Sequence, residues 1–343
     1  MRILITGGAG YIGSHTAVTL IGRGDQVTIV DNLSNSSMVA IDRIATITGV
    51  PPVFHRADVR DREAMTRIVE SAAPDAVVHF AGLKAVGESV ERPLRYYAHN
   101  LESTFSLLEA MQAHGVRRLV FSSSATVYGG GQEPPYAEDD GPFVSTNPYG
   151  ETKVMLERIL TDVAAADPRW SIALLRYFNP IGAHESGLIG EDPNGRPNNL
   201  APYITQVAVG RLPEIIVHGG DYDTADGTGE RDYIHVEDLA AGHAAAVSWV
   251  AEHQGSRSWN LGTGTPTSVI ELIEAFRAAS GRPIPYRIGP RRVGDLARSW
   301  ADATRAEREL GWRAERGIPE MAADSWRWQI TNPNGFRTVE PPE

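Results

Sequence analysis

The chain has 343 residues, 42% of them hydrophobic, and a formal net charge of −11, so it is long enough for about two domains and too acidic to favour nucleic acid as a partner. It contains no Cys, which excludes disulfides and thiolate chemistry, and no apolar run approaches the ~18 residues that cross a membrane. Because MRILITGG already has the pattern of a strand, we expect no signal peptide and a cytoplasmic location.

Short apolar runs alternate with helical stripes through the first half of the sequence. The predicted strands are 2–6, 26–31, 52–59, 75–82, 117–124 and 171–179. The predicted helices run from the first glycines to about 20 and over 61–72, 94–114 and 148–163. Buried strands separated by helices indicate a parallel sheet covered on both faces. We therefore predict an α/β protein, with an NAD-binding, Rossmann-type doubly wound sheet in residues 1–180 and a smaller C-terminal α/β substrate domain in residues 181–343.

The sequence TGGAGYIG follows the first predicted strand and places Gly7, Gly10 and Gly13 three residues apart. Between a strand and a helix, such glycines allow a tight turn and let backbone N–H groups approach a pyrophosphate. Asp31 ends the second predicted strand, where a carboxylate accepts from ribose hydroxyls and repels a 2′-phosphate. The pattern predicts a site for NAD rather than NADP, although a closely packed turn would use the same glycines.

The segment NPYGETK places Tyr149 and Lys153 four residues apart, on one face of a predicted helix. Only two of the 32 basic residues are Lys, namely Lys84 and Lys153, and the others are Arg. An ammonium group beside a phenol favours the phenolate and lowers its pKa, which makes Tyr149 a candidate general base and acid. Arg would not replace this compact charge cleanly. The alternative is an ordinary amphipathic pair on a helix surface.

A run of hydroxyl side chains, Ser122, Ser123, Ser124 and Thr126, comes just after the fifth predicted strand. In doubly wound sheets, ligands lie outside the carboxyl ends of the strands. A hydroxyl here can therefore bond a substrate oxygen while Tyr149 moves its proton. Capping of nearby backbone groups explains such serines as well, so we expect only one of the three to act on substrate.

Eight segments, taken in order, carry a resemblance to a known family: TGGAGYIGSHT, VDNLSNS, HFAGLKAVGES, FSSSATVYG, NPYGETK, LLRYFNPIGAH, RDYIHVEDLA and RRVGDL. They make the chain similar, over essentially its whole length, to the UDP-glucose 4-epimerases of the extended short-chain dehydrogenase/reductase superfamily. The glycine motif and YxxxK indicate only the superfamily. AGLKAVGES, the PNNL of 197–200 and RDYIHV are far more specific.

The resemblance implies roles for residues at matching positions. Tyr149 would be the base, assisted by Lys153 and Ser124. The residues implied to hold NAD are Gly7, Gly10, Tyr11, Ile12, Gly13, Asp31, Asn32, Leu33, Ser34, Asn35, Ser36, Asp58, Val59, Phe80, Ala81, Gly82, Lys84, Asn100, Ser122, Tyr149, Lys153 and Phe178. Those implied to hold the UDP-sugar are Lys84, Ser124, Tyr149, Asn179, Asn199, Leu200, Ile216, Val217, His218, Arg231, Arg292, Asp295 and Ser299. No metal site is expected.

Five of these positions have particular consequences. Asn100 is matched to an Asn that precedes the family's long helix. Arg231 and Arg292 can neutralise a diphosphate. The family usually has an aromatic residue beside the uracil where this chain has His218, so we expect the uridine contact to differ. Ser299 is small where relatives restricted to glucose and galactose tend to have Tyr, which implies room for N-acetylated sugars.

The resemblance implies an epimerisation without net oxidation. Tyr149, as phenolate, would take the proton of the sugar 4-OH while a hydride passes from C4 to NAD+. The 4-keto sugar would then turn to present its other face, and the hydride and the proton would be returned. A nucleotide-sugar 4,6-dehydratase shares the first step but needs an Asp and a Glu after the fifth strand, where this chain reads SSSATVYG. A non-catalytic NAD-binding regulator is the other alternative, and such proteins can lose the Tyr or Lys kept here.

The resemblance also implies a homodimer. Its helices would be those at about 94–114 and 148–165. Their apolar stripes suit packing within one chain equally well, so the sequence leaves both arrangements open.

Overall fold

A computed structural model of the chain describes residues 1–141, 143–193, 195, 197, 199–292 and 294–337. Asn198 of the PNNL segment and Val293 of RRVGDL lie outside the described residues. The strands are β1 (Arg2–Thr6), β2 (Gln26–Asp31), β3 (Val53–Arg56), β4 (Ala76–His79), β5 (Arg118–Ser122), β6 (Ser171–Tyr177), β7 (Asn179–Ile181), β8 (Ile215–His218), β9 (Glu230–His235), β10 (Gly255–Leu261), β11 (Pro266–Ser268), β12 (Tyr286–Gly289) and β13 (Arg298–Ser299).

The α-helices alternate with the strands along most of the chain. They are α1 (Tyr11–Gly22), α2 (Met38–Thr48), α3 (Arg62–Ala72), α4 (Val86–Glu91), α5 (Pro93–Ala113), α6 (Pro148–Ala166), α7 (Leu200–Ala208), α8 (Val236–Glu252), α9 (Val269–Ser280), α10 (Thr304–Leu310) and α11 (Ile318–Thr331). Within the described ranges, no helix has the length and apolar character needed to span a membrane.

The largest sheet has seven strands in the order β10-β6-β5-β4-β1-β2-β3, and all its pairings are parallel. Apolar side chains of α1, α2 and α8 pack against one face of the sheet, and those of α3, α5 and α6 pack against the other. Because both faces are covered, the central strands are apolar runs rather than alternating ones. The predicted α/β class with a doubly wound Rossmann-type sheet is confirmed.

The chain reverses its direction across the sheet between β1 and β4, which are neighbours although two strands and three helices separate them in sequence. Ile3 pairs with Ala76 and Thr6 with His79. At such a switch point, the loops that follow the two strands diverge and leave a crevice at their carboxyl ends. The glycine-rich loop after β1 and the loop after β4 therefore border the same space.

The second half of the chain forms two smaller sheets. The first has β9 at its centre, with β11 antiparallel to it and β7 and β13 parallel to it, and the second pairs β8 with β12. Helices α7, α9 and α11 share a separate apolar core with these strands. The domain boundary near residue 180 stays a prediction. One strand of the second half, β10, pairs with β6 at the edge of the large sheet.

Candidate active site

The glycine-rich turn closes through backbone contacts that leave no space for side chains. Gly7 has a φ of +71°, and an added Cβ would lie 2.8 Å from the Ala81 backbone nitrogen in the loop after β4. A Cβ on Gly13 would lie 2.3 Å from the Gly7 carbonyl oxygen. Helix α1 begins directly after Gly10, which has no side chain to cover the first amides. These open N–H groups form a cradle suited to a pyrophosphate.

Asp31 lies at the carboxyl end of β2 and ties this turn to the following loop. One carboxylate oxygen accepts from the Ala9 backbone N–H at 3.1 Å. The other accepts from the Leu33 N–H at 2.9 Å and from the Ser36 hydroxyl at 2.8 Å. The side chain is buried, so its negative charge is fixed beside the cradle. A carboxylate at this place suits a ribose diol and repels a phosphate on it.

The remaining predicted cofactor residues of the first half line the same edge of the sheet. The Asn32 side-chain amide donates to Asp58, 3.1 Å away, in the loop after β3, and Ser34 N–H donates to the Asn32 side-chain oxygen. Asn35 is exposed in that loop, while Val59 is buried and packs into the core. Hydrogen bonds from Arg60 hold the pKa of the Asp58 carboxyl well below its usual range.

Asn100 is hydrogen-bonded to the loop after β4. It lies within α5, so its match to an Asn before the helix is wrong in position. Its side-chain oxygen accepts from Leu83 N–H at 2.8 Å, and its amide nitrogen donates to the Leu83 carbonyl and to the Thr152 hydroxyl, both at 3.0 Å. Gly82 packs against the same side chain. All of these bonds are internal, so the residue orders the 80–84 loop against α6.

The structure brings Tyr149, Lys153 and Ser124 together at the carboxyl end of β5. Asn147 caps α6 by accepting from Gly150 N–H at 2.9 Å, which fixes where the helix begins. Lys153 is buried, and its Nζ donates to the Ser122 carbonyl at 2.6 Å. The same Nζ lies 5.9 Å from the centre of the Tyr149 ring. The Ser124 side chain lies beside the Tyr149 phenol and acts to lower its pKa.

Burial, rather than the neighbouring ammonium, dominates the protonation of this pair. Removal from water raises the pKa of Tyr149 above its usual value, and the Ser124 side chain opposes that rise. The expected net lowering of the Tyr149 pKa is wrong for the protein by itself, because burial has the largest effect on the phenol and raises its pKa. Burial also lowers the pKa of Lys153 to about 8.

Tyr177 and Phe178 complete the wall beyond β5. The Ser122 hydroxyl is hydrogen-bonded to the phenol of Tyr177, so this serine is engaged inside the protein. Phe178 is buried with Tyr128 and Tyr136. Tyr11, at the start of α1, donates its hydroxyl to the Gly182 carbonyl at 2.7 Å, which joins the glycine-rich turn to the second half of the chain.

The sheet centred on β9 brings three predicted substrate residues together. Asn179 begins β7, Arg231 lies on β9 and Ser299 ends β13, and the register pairs Arg231 directly with Ser299. Asn179 pairs with Tyr233 of β9, which lies two residues after Arg231 on that strand. Residues this far apart in sequence become neighbours only because parallel pairing aligns β7, β9 and β13.

The other predicted substrate residues lie in the loop after β12, on strand β8 and at the start of α7. Asp295 forms an ion pair of 2.5 Å with Arg231, and Arg292 is exposed in the same loop. His218 ends β8 and lies against the Pro290 carbonyl at 3.2 Å, while Ile216 and Val217 precede it in the strand. Leu200 begins α7, and Asn199 precedes it.

Three contacts of the site have no local signal in the sequence. Glu191 accepts from Lys84 at 3.3 Å and from Asn199 at 2.5 Å, so one carboxylate joins a predicted cofactor residue to a predicted substrate residue. The Tyr177 hydroxyl and the buried pair of Glu157 and Arg176 lie next to the serines. Only the fold brings these partners together, because long stretches of sequence separate most of them.

Comparison with known proteins agrees with this geometry. Residues 3–262 match the model of the NAD dependent epimerase/dehydratase family. The chain is 57% identical over 340 residues to the UDP-glucose 4-epimerase of Bacillus subtilis, covering 99% of this chain and 100% of that one.

Two solved structures share the fold over nearly the whole length. The UDP-glucose 4-epimerase from Bifidobacterium longum in complex with NAD+ and UDP has a TM-score of 0.95 and 55% identity, covering 98% of this chain and 100% of that chain. The UDP-glucose-4-epimerase from Stenotrophomonas maltophila, with bound NAD and formylated UDP-arabinopyranose, has a TM-score of 0.94 and 52% identity. The match covers 96% of this chain and 98% of that chain.

The close approach at Gly13 gives a test of the cradle. In Gly13→Ala, the methyl group would collide with the Gly7 carbonyl oxygen, so we expect a lower melting temperature and little dinucleotide in the purified protein. Gly22→Ala is a matched control on the same helix, because its Cβ would meet no atom within 4 Å; it should raise stability by about 0.5–1 kcal/mol.

The measurements are differential scanning calorimetry and enzymatic assay of the nucleotide released by heat. Wild type should release NAD(H). Release of NADP(H) would contradict the predicted role of Asp31, and a Gly13→Ala protein that carries as much nucleotide as Gly22→Ala would contradict the assignment of the cradle.

Proposed function

The chain belongs to the NAD dependent epimerase/dehydratase family, and we propose that it interconverts UDP-glucose and UDP-galactose with NAD as cofactor. The observation that carries the proposal is the junction of Ser124, Tyr149 and Lys153 at the carboxyl end of β5, beside a glycine cradle after β1. Its full-length relatives named above are UDP-glucose 4-epimerases.

The residues after β1, β2 and β4 fit a dinucleotide. The Gly7–Gly13 turn offers uncovered backbone N–H groups for a pyrophosphate, and Asp31 offers a fixed carboxylate for a ribose. Lys84 and the 80–84 loop close the other side of the crevice. Bound NAD+ would supply the redox chemistry by accepting a hydride from the sugar and giving it back.

Tyr149 moves the proton of the sugar 4-OH in this proposal. As a phenolate it takes that proton, and as a phenol it returns the proton to the same oxygen after the sugar has presented its opposite face to the hydride donor. The Ser124 hydroxyl favours the phenolate by donating to it, against the effect of burial. With a pKa of about 8, Lys153 is mostly charged at neutral pH, and its positive charge also favours the phenolate.

The uridine diphosphate would be held by the second half of the chain while the sugar turns. Arg231 and the exposed Arg292 offer charge to the diphosphate, and Asn179 and Asn199 offer amide groups. His218 and its strand β8 would lie beside the uracil. A substrate anchored at its nucleotide end can present either face of its sugar to Tyr149, as epimerisation needs.

The 4,6-dehydratase alternative lacks its extra acid and base. Residues 122–129 contain hydroxyl groups but no carboxylate. The nearby Glu138 is buried, accepts from the Asn260 backbone N–H at 2.8 Å and is paired with Arg305 at 3.3 Å. This carboxylate is therefore committed to holding the 136–141 loop, which leaves epimerisation as the better fit to the site.

Incubation with UDP-galactose and detection of UDP-glucose by NMR tests the function. Wild type should give the epimer, and Tyr149→Phe should lose at least about 100-fold in kcat because only the proton-transferring hydroxyl is removed. Tyr286→Phe, on β12, removes a phenol outside this site and should keep full activity.

The same variants separate catalysis from cofactor binding. Tyr149→Phe should still release NAD(H) on heating. Near-wild-type turnover in that variant would overturn the role of Tyr149, and a 4-keto-6-deoxy product from the wild type would favour the dehydratase.

We extend the proposal to UDP-GlcNAc and UDP-GalNAc on the basis of Ser299. It lies beside Arg231 in the sheet and carries only a hydroxymethyl group. The adjacent Arg298 does not narrow its side of the strand, because alternate residues point to opposite faces. The Arg298 guanidinium is also held by Glu230 at 3.2 Å. The space near Ser299 therefore suits an acetamido group.

The Ser299→Tyr variant tests this broader range of substrates. The phenol should lower kcat/KM for UDP-GlcNAc at least about tenfold, since a steric clash costs roughly 1–3 kcal/mol, while UDP-glucose should be turned over as before. Ser299→Ala, which keeps the site small, should accept both substrates. Negligible turnover of UDP-GlcNAc by the wild type would contradict the extended substrate range. Turnover of UDP-GlcNAc by Ser299→Tyr at the wild-type rate would contradict the role of Ser299.

We also propose a homodimer built on α5 and α6, in the cytoplasmic location expected from the sequence. The two helices pack side by side. Large apolar side chains stand exposed along them and the preceding α4, with Leu94 82%, Val90 62% and Met155 39% exposed. A second copy of the chain would cover this surface and remove it from water.

Light scattering coupled to size-exclusion chromatography measures the assembly. Wild type should have twice the mass of the chain, and Leu94→Asp should shift toward the monomer because it places a charge in the contact. Ile330→Asp is the control, since Ile330 is 53% exposed on α11, away from these helices in the fold. A monomeric wild type would contradict the proposal.

A further inference from the structure

A buried ion pair lies directly beneath the proposed catalytic residues. Glu157 and Arg176 have side chains only 8% and 4% exposed. Arg176 donates to Glu157 through Nε at 2.9 and 3.1 Å and through a terminal nitrogen at 2.6 Å. Its other terminal nitrogen donates to the Tyr128 hydroxyl at 3.1 Å and to the Glu138 carbonyl at 2.8 Å. The guanidinium is therefore held from several sides.

Helix α6 contacts three consecutive residues at the carboxyl end of β5, the serine bend (122–124), with three of its own. Tyr149 lies beside Ser124, Lys153 donates to the Ser122 carbonyl at 2.6 Å, and Glu157 accepts from the Ser123 hydroxyl. Tyr149, Lys153 and Glu157 are four residues apart, so they lie on one stripe of the helix. Each turn of α6 holds one residue of the serine bend.

Ser123 is the fixed centre of this bend. It is fully buried, and its backbone N–H donates to the Leu175 carbonyl of β6 at 2.9 Å. Its hydroxyl is directed to Glu157 rather than to the substrate side. Because Ser123 lies between Ser122 and Ser124, a movement of its side chain would shift the hydroxyl that contacts Tyr149.

The pair is poorly explained as a source of stability alone. Two charges taken out of water lose hydration that their attraction roughly offsets, so a buried ion pair adds little net stability. A fixed carboxylate with hydrogen bonds to both β6 and the serine bend does define position. The geometry thus favours a role in orientation.

We propose that Glu157 is a positioning residue for the reaction: held by Arg176, it fixes Ser123 and so sets the distance between Ser124 and Tyr149. This inference rests on the proposed epimerase function. In this proposal, Glu157 does not contact the substrate. Its effect passes through Ser123 to Ser124 and along α6 to Lys153.

Glu157 has a second effect through its charge. His79 faces Lys153 from β4, and burial lowers the pKa of that imidazole to about 3, so it is neutral. Burial raises the pKa of Tyr149 and of Tyr177, so both phenols of the resting protein are neutral as well. Among the described groups around Lys153, Glu157 is the anion that raises the pKa of the Lys153 ammonium. Arg176 is paired with the carboxylate of Glu157.

Ser123→Ala tests the positioning role without breaking the ion pair. We expect kcat for UDP-galactose to fall about tenfold, as small misplacements at an active site do, with KM, released NAD(H) and melting temperature close to those of the control. Ser171→Ala is that control. It removes another buried serine hydroxyl, at the opposite end of β6, which has no hydrogen-bond partner in the described structure.

The outcomes separate the inference from the function on which it rests. A Ser123→Ala enzyme with kcat within twofold of Ser171→Ala would overturn the positioning role while leaving the epimerase function intact. An inactive wild type would instead contradict the epimerase function.

A second variant tests the charge of Glu157 separately from its contact with Ser123. Glu157→Gln keeps an acceptor for Ser123 and removes the charge that keeps Lys153 protonated. The alkaline limb of the kcat profile should then move to lower pH, and an unchanged limb would overturn the effect of the Glu157 charge on Lys153. Loss of stability alone would leave that limb in place.

Discussion

The contact between the loops after β1 and β4 is the constraint on which the rest of the site depends. Gly7, in a left-handed conformation, lies so close to the Ala81 backbone that a Cβ would be 2.8 Å from its nitrogen. This approach is possible only because β1 and β4 are adjacent strands. The uncovered amides of α1, the carboxylate of Asp31 and the 80–84 loop then surround one crevice, at the place where doubly wound sheets bind ligands.

Charged groups around the crevice are already paired within the protein. Lys84 contacts Glu191, and Arg231 contacts Asp295. These pairs are partly exposed, so each contributes little to stability. A ligand with a diphosphate and ribose hydroxyls can replace such partners one for one, because it offers oxygens to the cations and hydroxyls to the acids. In the proposed function, the pairs thus keep the side chains near the ligand without holding them firmly.

At Tyr149 and Lys153, burial has a larger effect on the pKa than the neighbouring charges. Desolvation raises the pKa of Tyr149 and lowers that of Lys153 to about 8, so the resting protein favours a neutral phenol. Ser124 and Glu157 act in the opposite direction on Tyr149 and Lys153 respectively. The phenolate is therefore scarcely populated until further positive charge enters the site, which fits a reaction that needs its cofactor in place before the sugar loses a proton.

Local patterns were enough for most strands and helices in the first half of the fold. β1 and β2 have the predicted bounds, because a short apolar run ended by glycines or Asp specifies a buried strand. The glycine spacing and the Tyr149–Lys153 spacing also followed from helix and turn geometry alone. Helix α2 and strand β10 were not predicted. The run GSRSWNL of β10 is only partly apolar and becomes a strand because the edge of β6 supplies its hydrogen bonds.

The sequence by itself determined the chemistry available to this protein: which residues can carry a proton, a charge or a phosphate contact, and how those on one helix or turn are spaced. The tertiary structure decided which of them meet. Asn100 holds the 80–84 loop, Glu191 joins Lys84 to Asn199, and Glu157 holds Ser123. It also decided the sign of the pKa shift at Tyr149. The physical reason is that spacing along the chain is local, whereas burial and pairing depend on segments that only the folded chain brings together.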